Sequence, residues 1–187
     1  MTPFAPLTRS VIKRFRAGRH NRVPSPLLAH STPWLSILLA MLLPAMPVIA
    51  SAPVLPPLGL LLMLAWRQVR PGVLPVWAGL PLGAFDDLFS GQPFGSAILL
   101  WSLAMIALDV IEARFPWRNY LLDWLAAAGL VCACQILALI FANAAGGAAE
   151  LPVIIPQLAT AILLYPLAGR LVSTLDRMRL TPIVELD

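Results

Sequence analysis

Six apolar segments follow one another along the chain, at about 33–50, 53–66, 72–90, 93–112, 120–142 and 151–172, each bounded by charge, proline or glycine. A helix rises about 1.5 Å per residue and a bilayer's hydrocarbon core is about 30 Å thick, so most of these segments suit a membrane span, while the second is short for a full crossing. The pattern predicts an all-α integral membrane protein: a compact bundle of about six transmembrane helices over residues 33–175, with both termini cytoplasmic. Residues 1–32 are basic, carry Ser, Pro and His without sustained periodicity, and read as a disordered cytoplasmic tail. Residues 176–187 read as a second, short tail. Pro44, Pro47, Pro53, Pro56 and Pro57 predict an irregular turn between the first two spans, with Ser51 as a helix cap and Pro53 or Pro56 at an early helical position.

Composition agrees with the pattern. Only 12% of the 187 residues are charged, about half the share of an ordinary soluble domain, and 59% are hydrophobic, with a mean hydropathy of +0.83. So little polar surface excludes a water-soluble globule of this size. The net charge of +4 and a pI near 9.8 do not indicate nucleic acid, because the charge is a flank and not a stripe. Arg9, Lys13, Arg14, Arg16, Arg19 and Arg22 all precede the first apolar run, with Phe15 the one aromatic residue among them. Such a cluster suits topology and the anionic surface of membrane lipids. Arg67 and Arg70 follow the second span, Arg114 and Arg118 the fourth, and Arg170, Arg177 and Arg179 the sixth, whereas the turns near 51–52, 90–95 and 143–150 hold no basic residue. With six spans, all 13 basic residues fall on one side, which the positive-inside rule makes the cytoplasm. Trp34, Trp66, Trp117, Tyr120 and Trp124 fall near the same interface, as an aromatic belt would, with Trp77 and Trp101 deeper. Ala50-Ser51-Ala52 has the form of a signal-peptidase site, but Pro53 follows it directly and the preceding tail is long for a leader.

The interior is poor in reactive groups. Cys132 and Cys134, two apart on one helix, point to nearly opposite faces and read as packing residues. His20 and His30 lie in the tail, which leaves the spans without imidazole. Asp109 and Glu112 approach the end of the fourth span near Arg114 and Arg118, and Asp123 sits in the first turn of the fifth with Asn119 as its cap. Asp86 and Asp87 stand apart, because no basic residue lies on their side of the membrane. Gly79, Gly83 and Asp87 recur every four residues and form a small stripe that lets another helix approach. Beyond Asp87, Ser90-Gly91 can end the helix with Gly91 in a left-handed cap, Pro93 can open the next helix, and Gly95 allows close backbone approach there. This places the Asp87 carboxylate within reach of the unpaired amides that begin the fourth span, and sets Asp86 toward water at the membrane edge. Gln135, and the face of Ala126, Gly129 and Ala133, read as packing or helix-contact features. No catalytic constellation, metal set or cofactor loop is expected. A divalent ion shared by Asp86 and Asp87 is awkward, since neighbouring helical side chains diverge by about 100°.

The run Asp87-Leu88-Phe89-Ser90-Gly91-Gln92-Pro93-Phe94-Gly95, the glycine-bearing span Gly79 to Gly83 and the order of short apolar spans around them resemble the rod shape-determining protein MreD family. The family pattern looks like Asp-Leu-hydrophobic-Ser-Gly, two variable positions, a hydrophobic residue and Gly; Pro93 occupies a variable position here, and Asp86 has no counterpart in it. The resemblance spans about residues 33–175. It implies a small, non-catalytic subunit of the bacterial inner membrane that acts in cell elongation beside the scaffold MreC, the actin-like MreB, and the glycosyltransferase RodA with its transpeptidase partner. Gly79, Gly83, Asp87, Ser90, Gly91, Pro93 and Gly95 are then the hairpin motif and candidate partner contact, a glycine-lined groove for a partner's transmembrane helix. The alternative is a substrate-binding membrane component of an energy-coupling-factor transporter, which is similar in its six short helices. Its AxxxA contact motif is missing from the first span, where Pro44 follows Ala40 by four and Ile49 follows Ala45.

Overall fold

The computed structural model describes residues 26–43, 55–115 and 119–179, and these are helical without strands. Six α-helices run in order: α1 (Pro26–Leu42), α2 (Leu58–Val69), α3 (Gly79–Phe89), α4 (Ser96–Arg114), α5 (Tyr120–Ala144) and α6 (Leu151–Arg179), with one 3-10 turn at Val76–Ala78 leading into α3. By length and composition α4, α5 and α6 can each cross a membrane. At 12 and 11 residues α2 and α3 rise only about 16–18 Å, so neither is a full crossing by itself.

Helix α2 organises the bundle. Every residue from Gly59 to Arg67 is buried, and Trp66, Leu64 and Met63 have no exposed surface. A helix that is apolar all round must be covered all round. Helices α1, α5 and α6 and the Trp101 face of α4 provide that cover. The short second run is therefore the central post of the core. Outward faces of α4, α5 and α6 remain apolar, with Leu103, Ile106, Ile140 and Leu163 each about half exposed or more. This is the surface that a hydrocarbon solvent accommodates.

Several boundaries differ from expectation. Helix α1 begins at Pro26, inside the segment assigned to the tail, and carries His30 with it; α6 continues to Arg179, past the boundary placed at 175. Pro56 and Pro57 precede α2 and do not enter it, because the amide of Leu61 closes the first turn on the carbonyl of Pro57. The basic residues up to Arg22, the turn residues Pro44, Pro47, Ser51 and Pro53, the Ala50-Ser51-Ala52 site, Trp117, Arg118 and the last eight residues lie outside the described residues.

Pro166 lies within α6, where proline cannot donate to the carbonyl four residues back. That carbonyl, of Ile162, instead accepts the indole N–H of Trp124 from α5 at 3.1 Å. The helix continues to Arg179 and gains a cross-link to its neighbour.

Candidate functional site

The hairpin between α3 and α4 is built around one carboxylate. Asp87 is 6% exposed, and its Oδ2 accepts the amides of Gly95 at 2.8 Å and Ile98 at 3.2 Å. Its Oδ1 accepts the amide of Ala97 at 2.9 Å and the hydroxyl of Ser96 at 3.3 Å. The first four amides of a helix have no partner within it. Here Gly95, Ala97 and Ile98 donate to Asp87 and Ser96 N–H donates to the Pro93 carbonyl, so all four, counted from the cap residue Gly95, are satisfied. A carboxylate is favoured at this end of the helix dipole as well. Asp87 thus does from the preceding helix what a cap residue ordinarily does from its own.

The glycines divide into two kinds. A Cβ on Gly79 would stand 2.8 Å from the backbone of Ser102, and one on Gly83 would stand 2.6 Å from the carbonyl oxygen of Ala97. These two positions let α3 lie directly on the backbone of α4. The groove expected for a partner's helix is consequently filled by the chain's own α4, a correction that follows from the shortness of the connection. Gly91 (φ +67°) follows the last turn of α3 as a left-handed cap, as expected. Gly95 also has positive φ (+97°), with open space where a Cβ would be, so it is needed for its backbone conformation and not for close approach. It is the cap residue of α4, and Pro93 lies two residues ahead of that cap, outside the helix.

Asp86 faces elsewhere. It is half-buried against a cavity of about 260 Å³ that also receives Ser90, Gln92, Gln135 and Gln157. A smaller space of about 60 Å³ continues inward between Asp86, Gln92, Gln135 and Trp101. Gln135 Nε2 is buried with no hydrogen-bond partner among the described residues. One carboxylate and three carboxamides from α3, the hairpin, α5 and α6 therefore converge on one cavity. Of these, the sequence singles out Asp86 and Gln135; Gln157, a lone amide in the apolar start of α6, carries the same signal. Among the described residues no three potential metal ligands gather. Cys134 is buried with its thiol toward the Leu100 carbonyl, and Cys132 is half-buried.

At the opposite end of α2, successive side chains fasten different helices. Trp66 donates to Ser36 Oγ of α1 at 2.8 Å, and Arg67 pairs with Asp109 at 2.6 Å and Glu112 at 3.2 Å on α4. Gln68 donates to the Asp123 carbonyl of α5 and accepts from the Tyr165 hydroxyl of α6. Arg70 reaches Asp176 of α6 at 2.8 Å; Asp176 also holds Arg179, whose guanidinium stacks over Trp66. Asp109 and Glu112 are thus held from α2, where Arg114 and Arg118 were the expected partners. Trp66 belongs to this core junction and not to an interfacial belt. Asn119 caps α5 as expected, accepting from the Leu122 amide at 2.9 Å. The small face of α5 turns outward: Gly129 and Ala133 are exposed, and the bundle is packed through Ala127, Val131 and Ala138.

Compared with known proteins, the chain matches no family model, no curated protein and no solved structure.

Proposed function

We propose that this chain is a non-catalytic, multi-pass subunit of the bacterial inner membrane, of the MreD type, that serves cell elongation by contacting the transmembrane helix of an MreC-like scaffold. In this reading both termini and the Arg-rich ends of α2, α4 and α6 lie in the cytoplasm, and the Asp87 hairpin lies on the other side. The observation that carries it is the hairpin: the run from Asp87 to Gly95 resembles the family motif, and its first residue accepts four hydrogen bonds, from Gly95 at the end of the run and from Ser96, Ala97 and Ile98 just beyond it. Because Gly79 and Gly83 are used internally, the partner meets the outer side of the hairpin, where Leu80, Leu88 and Phe94 are between 51% and 73% exposed. Apolar side chains on a rigid hairpin give a partner helix a surface with little ordering left to lose. MreB and RodA with its transpeptidase partner would be reached through the scaffold.

Photo-crosslinkers at Leu88 and Phe94, in cells carrying the rest of the machinery, test this reading. Adducts with the MreC-like scaffold, and rods turning to spheres on depletion, are the expected results; adducts confined to other helices would refute the hairpin surface. The polar cavity favours a second reading, the substrate-binding membrane component of a transporter. Saturable binding of a water-soluble ligand by the purified chain, without effect of depletion on cell shape, would select it.

A further inference from the structure

We propose that the cavity beside the hairpin holds the primary ammonium head of an aminophospholipid, with a hydrocarbon chain of that lipid in the adjoining groove between α1, α2 and α6. The inference stands apart from the elongation reading, which does not use the cavity.

Charge comes first. Among the described residues Asp86 is the one charged residue in the cavity lining, it lies beside Asp87, and its carboxylate accepts no hydrogen bond from them. A half-buried carboxylate without a side-chain partner among the described residues calls for a cation. The carboxamides of Gln92, Gln135 and Gln157 add oxygens that accept hydrogen bonds, and a primary ammonium supplies three N–H donors to meet them. A quaternary ammonium supplies none, and an anionic head would meet Asp86 with no basic residue among the described lining residues to offset it. Gln135 Nε2, buried and unpartnered, is a donor awaiting an acceptor. The phosphate oxygens of a zwitterionic head answer that need.

Shape then selects an amphiphile over a soluble amine. Next to the cavity, and sharing Leu58 with it, is a second recess of about 220 Å³ lined wholly by apolar residues, among them Ala40, Leu61, Leu164 and Ala168. From Leu58 it extends along α2 to Leu62 and along α6 to Leu171, away from the hairpin end. A polar chamber beside an apolar channel suits a head joined to a tail.

The test is lipid retention by the full chain, purified in detergent, stripped of lipid and offered equal amounts of phosphatidylethanolamine, phosphatidylcholine and phosphatidylglycerol with identical acyl chains. Native mass spectrometry should show one phosphatidylethanolamine retained in preference to the other two. Asp86→Asn should lower that preference about tenfold, the worth of one hydrogen bond to a charged group, and Ala168→Leu should lower retention by narrowing the groove. Equal retention of all three lipids by the unaltered chain overturns the proposal, and this comparison needs no variant to fold. Free ethanolamine is the competing arm. Failure to displace the lipid supports the amphiphile; displacement at concentrations comparable to the lipid would show that a soluble amine is the ligand and would overturn it.

Discussion

Asp87 and Asp86 are neighbours with separate tasks, because adjacent helical side chains point about 100° apart. One closes the hairpin; the other looks into the cavity. Asp87→Ala strands the amides of Ala97 and Ile98 in a buried setting, and should cost about 3 kcal/mol at roughly 1–3 kcal/mol for each orphaned donor. Asp86→Ala should cost far less, so thermal unfolding in detergent should separate the two variants by many degrees. Equal, small losses would remove the clamp. The glycines allow a paired comparison. Gly83→Ala drives a Cβ to 2.6 Å from a backbone oxygen and should destabilise by about 1–3 kcal/mol. Gly129→Ala, in open space within a helix, should stabilise by up to about 1 kcal/mol, and denaturant titration of both variants would expose any failure of this contrast.

At the scale of elements, α5 and α6 are joined by a hydrogen bond that exists because of a proline. Trp124→Phe removes the donor that satisfies the Ile162 carbonyl and should cost about 1–2 kcal/mol. In a Pro166→Ala background the helix can bond that carbonyl itself, so the same substitution should cost much less. A double-mutant cycle in unfolding free energy measures the difference, and additive effects would contradict the link. The C-terminal turn of α2 works on the same principle with charge. Arg67 is buried while its partner Asp109 keeps more than half of its side chain in contact with solvent, so a charged pair is tolerated there without complete desolvation. These tethers hold α1, α4, α5 and α6 to one short helix that could not stand alone in water or lipid.

For the whole molecule, the basic ends of α2, α4 and α6 gather at one pole of the bundle, and the hairpin and polar cavity occupy the other. This arrangement agrees with the positive-inside reading, in which cations stay on the cytoplasmic leaflet. Cysteines introduced at Gln92 and at Arg114 should label from opposite sides of an intact membrane with an impermeant thiol reagent. Labelling from the same side would refute the orientation, and the placement of the hairpin away from the cytoplasm would go with it.

Much of this was determined by the chain's linear pattern. Helix identity, the sites of the α3–α4 and α5–α6 turns, the Asn119 cap and the Asp87 clamp are local matters of propensity, spacing and reach over a few residues, and they are legible one segment at a time. The central place of α2 was not legible, because an apolar run reads alike whether lipid or protein surrounds it. The partners of Arg67 and Arg70 were hidden for a related reason: 42 and 106 residues separate them from the acids they bind, and charge pattern alone favours the nearer Arg114. Only the packing of six helices decided which glycines were covered, which glutamines share a cavity with Asp86, and that the stripe of Gly79 and Gly83 would be closed by the chain itself.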